Sequence, residues 1–152
     1  MTHLIVRAEA AAEAKRIAWA IRAARAWLGP EVDHAPHGMR RHHADLRLQV
    51  SDKPSFTVFA KAAFVDFGPI LPTNDGFEVE VAWRASTMAP LFPVFSGRIV
   101  ARAHALSLSG WYAPPGGTVG RVADRVLLHI AATRTARWLL GEIDRVASKG
   151  VG

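Results

Sequence analysis

Apolar and polar positions alternate with period two through the middle of this chain and recur with the helical period near its two ends. Residues 77–85 show the alternation most plainly. Phe77, Val79, Val81 and Trp83 share one parity, and Glu78, Glu80 and Arg84 share the other. That is the pattern of a strand with one face buried. In residues 94–103, Phe95, Ile99 and Ala101 alternate with Arg98 and Arg102, and in residues 105–112 Leu106, Leu108 and Tyr112 line one face. Residues 44–50 place Leu46, Leu48 and Val50 together, and residues 3–8 read as a short first strand. Acids face outward on one strand and arginines on the next. Glu80 and Arg98 are therefore expected within pairing reach on a solvated outer face, a cross-strand pairing that helps fix register.

Other segments are less clear. Residues 55–67 are apolar on both parities, with Phe56, Val58 and Phe64 on one and Phe59, Val65 and Phe67 on the other. The period leaves this strand's orientation open, and a bulge or break near Lys61 would account for it. Residues 9–28 are rich in alanine and free of Gly and Pro, which predicts one uninterrupted helix ended by Gly29-Pro30. Its apolar stripe is Ala10, Ala14, Ile17, Ile21, Ala24 and Leu28. Trp19 falls on the opposite side and is expected to be covered by a second element. A long helix over residues 119–147 closes the chain, with a stripe of Val119, Val122, Ala123, Val126 and Ile130 that Leu127, Leu128 and Ala131 widen almost all round. A helix so broadly apolar must be covered on more than one side.

Pro114-Pro115-Gly116-Gly117-Thr118 separates that helix from the last strand, with Thr118 as its expected cap. The segment through Gly120 is glycine-rich but lacks the lysine of a phosphate loop. Residues 30–43 read as a loop carrying His34, His37, His42 and His43. With Asp33 and Asp45 as the nearby carboxylates, this reads as a solvated loop running into a strand rather than a metal site. The serines lack a nucleophile-elbow motif, and the carboxylates form no evident acid/base pair.

Composition changes this picture little. At 152 residues the chain is the size of one domain, 1–152. There is no cysteine, which excludes disulfides, thiolate metal sites and a cysteine nucleophile. Nineteen Lys+Arg against 13 Asp+Glu give a formal charge of +6. The arginines are spread over every segment, Arg40-Arg41 being the one adjacent pair. A nucleic-acid surface would cluster them, so none is expected. No apolar run approaches the roughly 20 residues of a membrane span. The N-terminus also lacks a signal peptide's apolar stretch. A cytoplasmic location and no integral membrane association are expected, with oligomer formation left open.

A curved antiparallel sheet facing one long helix leaves an internal cavity unless large side chains fill it. Trp83, Phe95 and Tyr112 on the sheet, with Val126 and Ile130 on the helix, are the candidate ligand-binding residues. Arg137 falls nearly in line with Val126 and Ile130, and Arg134 lies close by. Either both arginines snorkel to water, or one of them meets an anionic or carbonyl-bearing ligand at the cavity mouth.

The local sequence points the same way. Glu78 to Ala85 (EVEVAWRA), Leu91 to Phe95 (LFPVF), Leu108 to Gly117 (LSGWYAPPGG) and Gly120 to His129 (GRVADRVLLH) together resemble the START-like superfamily, also called the polyketide cyclase/dehydrase and lipid-transport (SRPBCC) superfamily. The match is to its small actinobacterial members and covers roughly residues 56–147. The resemblance implies an α+β helix-grip fold, a curved antiparallel sheet around a C-terminal helix with an internal cavity. It also implies binding or carriage of an apolar or amphipathic small molecule such as a lipid or polyketide, without a cofactor or metal. A cyclase or dehydratase using Tyr112, Arg137 or His42 as acid–base groups is the second reading, and a filled cavity with a surface role is the third. No catalytic signature is shared across the superfamily, so none is carried over. Two departures stand out: one long N-terminal helix where the family commonly has two short ones, and a turn, Ala103-His104-Ala105, without the usual Gly or Asn.

Overall fold

The structure is a computed structural model that describes residues 1–49, 58–86, 93–113 and 122–149. The element order is β1 (Thr2–Glu9), α1 (Ala14–Arg22), α2 (Ala24–Trp27), β2 (Glu31–Val32), β3 (Arg40–Gln49), β4 (Val58–Phe67), β5 (Leu71–Thr73), β6 (Gly76–Ala85), β7 (Val94–Arg102), β8 (Ala105–Ala113) and α3 (Val122–Lys149). The strands form an eight-stranded antiparallel sheet in the order β1-β8-β7-β6-β4-β3-β2, with β5 paired to β6. α3 packs across the inner face against β1, β3 and β8, and α1 lies against α3. This is the helix-grip arrangement, α+β.

The period-two reading holds through the centre of the sheet. Phe77, Val79, Val81, Trp83, Phe95, Ile99, Ala101, Leu106, Leu108 and Tyr112 are all buried. Glu80 lies directly opposite Arg98 on the outer face. Arg98 makes its ion pair diagonally, with Glu78 at 3.5 Å. Both partners are substantially exposed, so the pair fixes register more than it adds stability.

β4 corrects one expectation. It pairs with β3 from Arg40↔Phe67 to Gln49↔Val58 without a slip, so no bulge or break occurs at Lys61. Ala63, Val65 and Phe67 face the core. Phe64 faces outward, where His34 meets it edge-on at 5.3 Å, His43 lies at 5.4 Å and the Arg41 guanidinium sits 4.9 Å from its ring centre. The outer parity reads as apolar because these polar side chains cover an aromatic ring there. β3 likewise begins at Arg40, four residues before the expected start, and takes His42 and His43 out of the loop. Phe56 and the Pro114–Thr118 junction with its expected cap lie outside the described residues.

The N-terminal helix is not one piece. It breaks at Ala23, giving α1 and the single-turn α2. The indole N–H of Trp27 donates to the Ala20 carbonyl at 2.8 Å. In an unbroken helix that carbonyl would accept the Ala24 amide. Alanine's propensity yields here to a side chain that bonds back across the bend. The approach to α1 is tied down by Asp144 of α3, whose carboxylate accepts the amides of Ala11 and Ala12, each at 3.0 Å. Trp19 is 40% exposed, so the expected cover over it is not found.

Two close approaches shape the sheet. Gly97 and Gly110 face each other across β7 and β8. A Cβ on either would come within 2.7 or 2.8 Å of Phe95 Cζ. The Phe95 ring therefore lies over two residues without side chains, which lets the strands bend beneath it. At the β7–β8 hairpin, His104 adopts the left-handed conformation, with φ 54°. Its carbonyl accepts the Ala10 amide at 2.9 Å, and its Nδ1–H donates to the Ala10 carbonyl at 3.2 Å. These two bonds offset the strain that Gly or Asn would avoid.

Trp83 stacks on Phe95 with ring centres 4.2 Å apart and planes 17° from parallel, and both are almost wholly buried. We expect Trp83→Ala to destabilise the fold by about 3–5 kcal/mol, with Trp83→Phe costing less. Urea denaturation followed by circular dichroism checks both.

Candidate functional site

Six residues from six strands fall into one row across the inner face: Thr2, Tyr112, Phe95, Trp83, Val65 and, on β3, His42. The row exists because each residue sits at the same pleat parity as its neighbour. Thr2, at the start of β1, borders the row; the other five are buried. Among the described residues Trp83 Nε1 and His42 Nε2 have no hydrogen-bond partner, although both side chains lie in the core. His42 is held by its other nitrogen, Nδ1–H donating to the Gly29 carbonyl at 3.0 Å.

At the β8 end of this row the helix supplies a partner. Tyr112 Oη and His129 Nδ1 lie 2.8 Å apart. The phenol is buried and the imidazole is on the exposed flank of α3, two turns from its start. Burial pushes the Tyr112 phenol above its ordinary value, a rise that the hydroxyl of neighbouring Thr2 opposes in part. The phenol therefore stays protonated through neutral pH. It donates to Nδ1, leaving Nε2–H of His129 as the free end of the pair. A buried proton donor joined to an exposed imidazole is a group that can both orient a ligand oxygen and exchange a proton with it.

The structure places the sequence-derived candidates as follows. Trp83, Phe95 and Tyr112 come together on the inner face. Val126, Ile130 and Arg137 do not join them. Val126 is 57% exposed, Arg137 is exposed and Ile130 is half-buried. The residues that α3 buries are Leu128, Ala132, Thr135, Ala136, Leu139, Leu140, Ile143 and Ala147. At roughly 100° per residue these lie on the other side of the helix from the stripe expected in the sequence. That stripe was drawn on the first half of the helix, which is apolar nearly all round, whereas the second half sets the rotation. Arg134 is half-buried and engaged in an interaction.

His129 went unassigned in the sequence because its partner lies across a change of element, and no local spacing marks such a pair. The histidine-bearing segment separates into individual roles. His42 is a core residue, His43 Nε2 bonds Ser86 Oγ at 3.1 Å, and His34 packs on Phe64 beside Arg41. Among the described residues no group of three or more His, Asp or Glu is placed to hold a metal ion. The glycine-rich stretch 116–120 lies outside the described residues.

No protein-family model matches the chain, and no curated protein matches it. Among solved structures, the chain is similar to the Zhui aromatase/cyclase from Streptomyces sp. R1128, with a TM-score of 0.60 and 13% identity over 97% of this chain and 94% of that one. It also aligns with DynU16, a protein in the dynemicin biosynthetic locus, at a TM-score of 0.46 and 16% identity, covering 97% of this chain and 48% of that one. At this identity the likeness to the first establishes a shared fold, the helix grip of a sheet around a C-terminal helix.

Tyr112 is the chain's single tyrosine, so ultraviolet titration reads it alone. We expect its phenolate to form above the ordinary midpoint of about 10. A phenol raised on folding contributes stability below its unfolded value and loses it as pH rises through the folded one. Folding should therefore weaken in that alkaline window. His129→Ala should leave the phenol buried and its midpoint still elevated.

Proposed function

We propose that this protein binds an apolar or amphipathic small molecule between the sheet and α3, at the end where α3 begins. The observation that carries the reading is the Tyr112–His129 hydrogen bond, a polar pair set at the edge of an aromatic floor. Trp83 and Phe95 form that floor, Tyr112 presents its phenol beside it, and His129 offers the free Nε2–H. Small-molecule sites are mostly apolar with a few fixed polar groups, which is the composition found here. The shared fold with an aromatase/cyclase supports a ligand of the polyketide kind.

The same pair favours a second reading, acid–base catalysis. A phenol kept neutral by burial can turn its one proton from His129 Nδ1 to a carbonyl oxygen, and His129, taking up a proton from solvent, can return one from Nδ1 to the phenolate. A cyclisation or dehydration of a polyketide-like substrate would use both. Arg137 and His42 drop out of that scheme, the first because it faces solvent and the second because it is sealed in the core.

A thermal-shift screen of fatty acids, sterols, quinones and aromatic polyketides tests the binding reading. A ligand at a hundred times its dissociation constant stabilises by about 2.7 kcal/mol, and we expect at least one aromatic class to do so. Tyr112→Phe and His129→Ala then separate the two roles. A carrier should lose affinity by roughly 10-fold for one lost hydrogen bond, about 1.4 kcal/mol. An enzyme should keep most of its affinity and lose turnover. No shift with any class would overturn the proposal.

A further inference from the structure

The adjacent arginines of the sequence have opposite fates. Arg41 points to the outer face and is fully engaged. Its Nε and Nη2 hold both oxygens of Asp66 at 2.8 and 2.9 Å, and Nη1 donates to the His34 carbonyl at 3.2 Å. Arg40, one residue earlier, has the inward parity of His42, Ala44 and Leu46. It is half-buried, and the contact it makes is a long one, Nη1 to the Arg22 carbonyl at 3.5 Å. That carbonyl belongs to Arg22, the last residue of α1, which lines the same cleft as Arg40. Among the described residues neither Arg22 nor Arg40 has a carboxylate partner.

Both line one cleft of about 480 Å³, at the Arg40 end of β3. Ile70 gives it an apolar flank, beyond which Phe67, the cross-strand partner of Arg40, is sealed in the core, and among the described residues no acid lines it. Two arginines lining one cleft that holds no acid among the described residues make it positive, and Arg40 faces inward at partial burial. An anion in the cleft would complement both. The guanidinium fork suits the two oxygens of a carboxylate, and the apolar wall suits a short hydrocarbon body attached to it.

We propose that this cleft is a binding site for a small organic carboxylate, its anionic group met by Arg40 and Arg22 and its apolar part against Ile70. The site is separate from the Tyr112–His129 pair and does not depend on the function proposed there.

Sodium octanoate and sodium benzoate are the probes, with sodium phosphate and sodium chloride at matched ionic strength as comparisons. Calorimetric titration should show saturable binding of octanoate or benzoate at concentrations up to about 10 mM. Phosphate should bind more weakly and chloride not at all. Arg40→Gln and Arg22→Gln should each weaken the carboxylate about 10-fold or more, while Arg40→Lys should retain part of the affinity because it keeps the charge without the fork. Circular dichroism confirms that each variant is folded. Arg98→Gln, a charge change on the outer face, should leave the affinity unchanged. Absence of saturable carboxylate binding, or equal affinity in Arg40→Gln, would overturn the proposal. Loss of binding in Tyr112→Phe with retention in Arg40→Gln would do the same, by moving the carboxylate to the other end of the sheet. Phosphate binding as tightly as octanoate would overturn the assignment to an organic carboxylate.

Discussion

The close contact between β7 and β8 at Gly97 and Gly110 is the constraint on which the rest of the structure depends. A sheet that grips a helix has to curl, and side chains on the concave face crowd as it does so. Here two facing glycines remove the crowding at the bend, and the Phe95 ring fills the space they leave. Phe95 is then fixed flat enough for Trp83 to stack on it, and α1 lies against β6 and β7, the strands that carry the stack. Tyr112, next in the row, projects far enough to meet the helix at His129. The polar pair thus joins the concave face of the sheet to the helix that it grips.

The central strands were legible because burial on one face imposes a period that nothing else in a sequence imitates. In β6, β7 and β8 the inward residues are those whose parity predicted it. Legibility failed wherever a second contact competed with the period. Phe64 is outward yet covered by His34, His43 and Arg41, so β4 looked two-faced. The first half of α3 is apolar all round, and its true rotation is set by Leu139, Leu140, Ile143 and Ala147 near its far end. That misplacement carried Val126, Ile130 and Arg137 into the candidate site and left His129 out. The break at Ala23 had no propensity signal, because it rests on an indole bonding to a carbonyl seven residues away.

The break matters beyond its local geometry. Two short helices stand where the alanine-rich sequence predicts one long one, so the first of the two departures noted in the sequence is not found in the structure. The second departure, the hairpin without glycine, is resolved differently. His104 tolerates the left-handed backbone because its side chain and its carbonyl both bond to Ala10. Those bonds hold the end of β1 at the turn into the helices, and Asp144 holds the next two amides. The chain from Ala10 to Ala12 is therefore tied to both β8's hairpin and α3, which fixes α1 against the helix that the sheet grips.

Arginine is abundant in this chain, and its placement separates structural from available charge. Arg41 and Asp66 form a two-pronged pair across neighbouring strands, with both side chains largely withdrawn from water. The hydrogen bond to Asp66 raises the Arg41 guanidinium further above its already high value, outweighing the desolvation that pulls it down. Such a pair is costly to break on one side, because the remaining charge stays buried, by about 3–5 kcal/mol. Arg98 and Arg102 face acids on the outer surface, where the same chemistry is screened and adds little. Arg40 fits neither class. It lies on the core side of the sheet without an acid, at the point where the strand emerges beneath the end of α1. A charge left half-buried in this way is either a cost carried for nothing or a place prepared for an anion. The acid-free, partly apolar cleft around it favours the second.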